Sequence, residues 1–146
     1  MMATASYDNH GVRFDYPSGW EIEVSEDEAL TTVSLQSPGR PAFLLVTLDE
    51  SMPDPEVIAG EVLETMRQEY PDLDDSPVRE KINGHEAIGH DLDFFSLDMT
   101  SACVIRCFRT NLRTVVLFGQ WSDFEDEPGR AALSGLQHSL EETDGR

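Results

Sequence analysis

Alternation of apolar and polar positions starts early. Val12, Phe14 and Tyr16 alternate with Arg13 and Asp15, which predicts a strand with one wet face. Pro17-Ser18-Gly19 carries turn chemistry, since Pro presets one dihedral and Gly tolerates the next. Trp20, Ile22 and Val24 then resume the alternation against Glu21 and Glu23. A third strand is predicted over Thr31–Ser37. Ala42–Leu48 is a nearly unbroken apolar run, short enough to be a strand buried on both faces.

The period then changes. Asp54 and Pro55 suit the cap and first position of a helix, and Ile58, Ala59, Val62, Leu63, Met66 and Tyr70 form one apolar stripe. Pro71 ends it. Val78–Ile82 and about His85–Phe95 flank Asn83-Gly84, a strong hairpin signal because both turn positions need positive φ. Two more strands follow over about Thr100–Arg109 and Thr114–Trp121, turning near Asn111. Asp126-Glu127-Pro128 opens a closing helix whose stripe is Ala132, Leu133, Leu136 and Leu140. The expected order is β-β-β-β-α-β-β-β-β-α, an α+β sandwich of about six to eight antiparallel strands packed against helices. Residues 1–10 read as a loose polar lead, 11–141 as one domain and 142–146 as a frayed tail.

Certain short motifs add a resemblance. Phe14-Asp15-Tyr16-Pro17-Ser18-Gly19-Trp20 resembles the F-x-x-P-x-x-W signature that opens domains of the PsbP-like superfamily. Ile82-Asn83-Gly84-His85-Glu86-Ala87 is similar to that family's hairpin after the first helix, and Thr114–Leu140 fits its last strand and helix. The resemblance spans about residues 7–141. It implies an α/β/α sandwich whose fold motif includes Phe14, Pro17, Gly19, Trp20 and Gly84. It also implies a family of adaptors and assembly factors with no common reaction and no common cofactor, so function does not follow from fold alone.

Charge narrows the classes of partner. The 146 residues hold 29 acidic and 10 basic side chains, a formal net charge of −19. Nucleic acid needs a basic face, and anionic membranes repel such a surface. No apolar run approaches the roughly 20 residues of a membrane span. The start of the chain lacks the basic and apolar regions of a signal peptide, so a cytoplasmic location is expected. Nine of the ten cations are Arg, with Lys81 the single Lys. An acidic, Lys-poor surface fits a high-salt cytoplasm, where ions screen the repulsion of carboxylates. Codon bias in a GC-rich genome is the alternative source.

Candidate chemistry is sparse. Cys103 and Cys107 would lie about 13 Å apart on a strand at ~3.3 Å per residue, too far to bridge, and read as buried apolar fillers. His85-Glu86-Ala87-Ile88-Gly89-His90 misses the zinc-protease spacing by one residue. Its two histidines would face opposite sides of a strand. Asp91-x-Asp93 and Asp72-x-Asp74-Asp75 lack the Gly and distal Glu of a calcium loop. No nucleophile elbow or phosphate-cradling Gly loop is present. No catalytic residue, metal ligand or cofactor is therefore expected.

One local feature stands out. From Met99 to Ser122 there is no Asp or Glu, although about one residue in five of the chain is acidic. Central buried strands explain the missing acids. They leave Arg106, Arg109 and Arg113 to be explained, either by structural ion pairs or by contact with a partner or anion. Arg109 and Arg113 flank the Asn111 turn, where a clamp would form at a hairpin tip. The expected function is a non-catalytic adaptor that binds a protein partner, as a monomer or small homo-oligomer. The alternative is a small-molecule binder or enzyme with a pocket between sheet and helix, lined by residues such as Trp20, Phe94, Phe95 and Trp121.

Overall fold

The structure is a computed structural model, described here for residues 3–39 and 42–143. Strands β1 (Thr4–Asn9) and β2 (Val12–Pro17) form a hairpin. β3 (Glu21–Asp27), β4 (Leu30–Gln36) and β5 (Ala42–Asp49) follow as a meander. Helix α1 (Pro55–Glu69) comes next, with the Asp54 carboxylate accepting from the Glu56 backbone N–H at 2.9 Å. Four strands succeed it: β6 (Asp74–Ile82), β7 (His85–Ser96), β8 (Met99–Arg109) and β9 (Thr114–Ser122). A single 3-10 turn (Asp123–Glu125) leads into α2 (Asp126–Ser139), and β10 (Glu141–Glu142) is the last described strand.

Seven strands make one antiparallel sheet in the order β3-β4-β5-β9-β8-β7-β6. The two meanders therefore join through the long-range pair β5–β9, with Ala42 opposite Trp121 and Leu48 opposite Val115. A second sheet, β1-β2-β10, stands apart from it.

Register sorts the side chains into two faces. Val33, Leu35, Leu44, Val46, Val104, Phe108 and Leu117 point to one face, where Val12 and Phe14 of β2 and Ala132, Leu133 and Leu136 of α2 bury them. Cys103, Ile105, Cys107, Leu92 and Phe94 point to the other, where Ala59 and Met66 of α1 meet them. This is a mixed α+β sandwich: α1, the large sheet, then α2 with the small sheet. α2 lies very close to β9. A Cβ on Gly129 would stand 2.5 Å from the Trp121 ring, so only Gly fits there.

Three expectations need correction. Residues 4–9 of the supposed lead form β1, because Tyr7 is buried against Phe14 while the rest of the strand stays wet. Glu142, placed in the tail, is paired in β10 opposite Val12, and the Thr143 N–H donates to the Gly11 carbonyl at 2.9 Å. Residues 1–2 and 144–146 of those two segments lie outside the described residues. Finally, β5 is not buried on both faces: Ala42, Leu44, Val46 and Leu48 are buried, whereas Phe43, Leu45 and Thr47 are only half covered. α1 lies over the β7–β8 half of the sheet and leaves this face of β5 open.

The residues of the family motif take local roles. Phe14 is buried, and Trp20 packs half-buried against the core after the corner at Pro17 and Gly19. Asn83 and Gly84 both adopt positive φ in the β6–β7 hairpin, as the dipeptide requires.

Candidate functional site

The three candidate arginines are driven apart by strand alternation and by the turn. Arg106 points to the α2 side of β8 and is buried. Its Nε donates to Glu80, and its Nη1 lies 2.9 Å from Asp91. Arg113 is 2% exposed. Its Nη1 donates to Glu142 at 2.7 Å and to the Gly11 carbonyl at 3.3 Å, fastening the β8–β9 hairpin to the small sheet. Arg109 is exposed and donates only to the Met52 carbonyl, at 3.3 Å, among the described residues. The guanidinium groups of Arg109 and Arg113 thus reach for different partners across the Asn111 turn.

The cysteines stand four positions apart on β8, both on its α1 face, and are free thiols. Burial pushes the Cys107 thiol up to about 12, and burial with the nearby Asp91 charge pushes Cys103 up as well. Neither is a nucleophile at neutral pH. His85 stacks on Phe108 on the α2 side, with ring centroids 5.5 Å apart. His90 faces α1, and its Nδ1 sits 2.7 Å from Asp75 Oδ1. Among the described residues no group of three or more His, Cys, Asp or Glu side chains is placed to hold a metal ion.

The strongest surface feature lies at the opposite end of β8 from Arg109. There the β7–β8 hairpin turns through Leu97 and Asp98, both at positive φ (54° and 61°). Asn-Gly is the favoured pair for such a turn, and a leucine in the left-handed region is strained. Leu97 is 93% exposed and its neighbour Phe95 76% exposed. The 3-10 turn packs on β8, where Ser122 pairs with Ser101, and brings Phe124 to the same end, 83% exposed. Single exposed apolar residues are common on any surface; three large ones at one end of a sheet make that end the candidate contact area.

A cleft of about 500 Å³ adjoins this end, between the loop after α1 and the start of the hairpin. Tyr70 and Phe94 stack on its floor with centroids 4.1 Å apart, and Phe95 forms part of its wall. Trp121, grouped with Phe95 as a candidate lining residue, is instead buried under α2. Sequence reading missed the hairpin end because Leu97-Asp98 does not look like a turn; the apolar run-on Phe94-Phe95-Ser96-Leu97 past a strand end was the available signal.

The chain matches no protein-family model and no curated protein sequence. Solved structures do share its fold. It is similar to a cyanobacterial PsbP, CyanoP, from Synechocystis sp. PCC 6803, with a TM-score of 0.68 and 10% identity over 97% of this chain and 94% of that one. It is also similar to LpqN, involved in cell envelope biogenesis of Mycobacterium tuberculosis, with a TM-score of 0.62 and 11% identity over 98% of this chain and 91% of that one. PA94, a protein of unknown function from Pseudomonas aeruginosa, gives a TM-score of 0.55 and 14% identity over 92% and 94%. The fold is PsbP-like.

Proposed function

We propose, starting from this PsbP-like fold, that the protein is a non-catalytic adaptor domain that docks a protein partner through the β7–β8 hairpin end. The observation that carries the reading is Leu97: a large apolar side chain held out in solvent on a strained backbone. Strain of that kind costs about 1–3 kcal/mol and persists where a site uses it. Phe95 and Phe124 extend the patch, giving the aromatic anchors on which protein interfaces concentrate their energy.

Arg109, at the far hairpin, is the second contact in this reading. Of the three arginines in the acid-free segment it is the one without a carboxylate partner among the described residues. A cytoplasmic compartment belongs to the same reading. The net charge of −19 supports a salt-rich one. No helix among the described residues is long and apolar enough to cross a membrane.

The test is affinity capture from native lysate at high salt with the wild type, Phe95→Ser/Leu97→Ser and Arg109→Ser. The reading expects the double variant to lose the captured partner while keeping its circular dichroism spectrum. An unchanged partner list from a folded double variant refutes it.

A further inference from the structure

A second cleft, of about 520 Å³, opens between α1 and the β6–β7 hairpin. Its size lies in the range of about 300–1,000 Å³ typical of small-molecule sites. We propose that it binds a small organic anion, a monocarboxylate with an apolar body. Ala59, Leu63, Pro77, Val78 and Ile88 supply apolar walls.

The charged or titratable side chains lining the cleft are Glu56, Arg79 and His90, and His90 is held from outside it. The Asp75 carboxylate engages His90 Nδ1 at 2.7 Å, and Arg67 Nη2 lies 3.4 Å from the same carboxylate. That fixes the imidazole ring and leaves Nε2 with no protein partner among the described residues. Arg79 stands on the neighbouring strand, exposed. In a chain with 29 acids, Arg13, Arg67, Arg106, Arg113 and Arg130 each have a carboxylate within 4.0 Å. Arg79 has none among the described residues, and neither has Lys81, two positions along the same face of β6. An exposed guanidinium with no carboxylate partner among the described residues, at the wall of this cleft, matches a carboxylate in charge and in fork geometry. Glu56 is the one acid lining the cleft, and it disfavours a dianion such as a phosphate ester.

Gly60 makes the space. It sits in the interior of α1, where Gly is a poor helix former, and a Cβ there would meet nothing within 4 Å. No packing contact demands Gly at this position, and a larger side chain would fill the cleft.

The experiment is an NMR titration of the whole chain with octanoate, with phenylacetate, and with octanamide as the neutral control. Saturable amide shifts are expected at Gly60, Arg79 and His90 for at least one carboxylate, with octanamide at least about tenfold weaker. Arg79→Gln is expected to weaken the carboxylate about tenfold. Gly60→Leu is expected to abolish saturation without lowering the melting temperature, and Phe95→Ser/Leu97→Ser to leave binding unchanged. The proposal is overturned if neither carboxylate saturates, if octanamide binds equally well, or if Arg79→Gln keeps full affinity.

Discussion

Arg113 and Glu142 lie 2.7 Å apart, joining the turn between β8 and β9 to the last described strand of the chain. Thr110 Oγ1 donates to the same carboxylate at 2.8 Å, so a residue near the C-terminus closes the mouth of a central hairpin. Replacing Glu142 by Gln keeps its size and removes the negative charge that stands 2.7 Å from a buried guanidinium. We expect a loss of about 2 kcal/mol, or about 6 °C in melting temperature, measured by calorimetry. A shift under about 1 °C would make the pair ornamental.

The strain at Leu97 gives a stability change of opposite sign. Leu97→Gly removes a side chain that clashes with its own backbone in the left-handed region. Stability is expected to rise by about 1 kcal/mol in denaturant unfolding, while partner capture weakens. A variant that is less stable than the wild type would show that the turn is not strained.

Burial of the thiols sets a pH dependence. Cys103 and Cys107 are raised from an ordinary value of 9.0, Cys107 to about 12. Above about pH 9 the unfolded chain loses these protons while the folded chain keeps them, so stability present below pH 9 declines as pH rises toward 12. Each pH unit in that window costs about 1.4 kcal/mol per thiol. The variant with both cysteines changed to Ala is expected to show a correspondingly shallower decline in urea unfolding. An identical slope in the two proteins would contradict the assignment. In the folded wild type, thiol reagents at neutral pH are expected to modify neither residue.

The charge of −19 makes salt a stabiliser. Repulsion among exposed carboxylates such as Glu21, Glu23 and Glu26 on edge strand β3 is screened as the Debye length falls from about 10 Å at 0.1 M to about 3 Å at 1 M. The melting temperature is expected to climb between about 0.1 and 2 M KCl. A flat or falling curve would assign the acidity to genome composition instead.

Most elements were legible because each shows its period. The stripe Ile58, Ala59, Val62, Leu63, Met66 and Tyr70 does face the sheet, and Leu133 and Leu136 do mark the inner side of α2. β1 escaped notice because Tyr7 is its one buried residue, and β10 because two residues carry no period. The β5–β9 junction depends on a contact between residues about 70 positions apart, which local pattern cannot encode. At the site, alternation separated Arg106 from Arg109, but it could not show that Arg113 folds inward beyond the strand's end. The hairpin end was hidden for a related reason. Exposure of Leu97 follows from a turn that its own residue type disfavours.

Docking through that hairpin end is tested most directly by photo-crosslinking. A benzophenone amino acid is placed in turn at Phe95, Leu97 and Phe124, and at Val57 and Leu112, which are also exposed but lie elsewhere. Adducts of one common mass at the first three positions, and none at Val57 or Leu112, are the predicted result. Adducts at Val57 or Leu112 with none at Leu97 would contradict it.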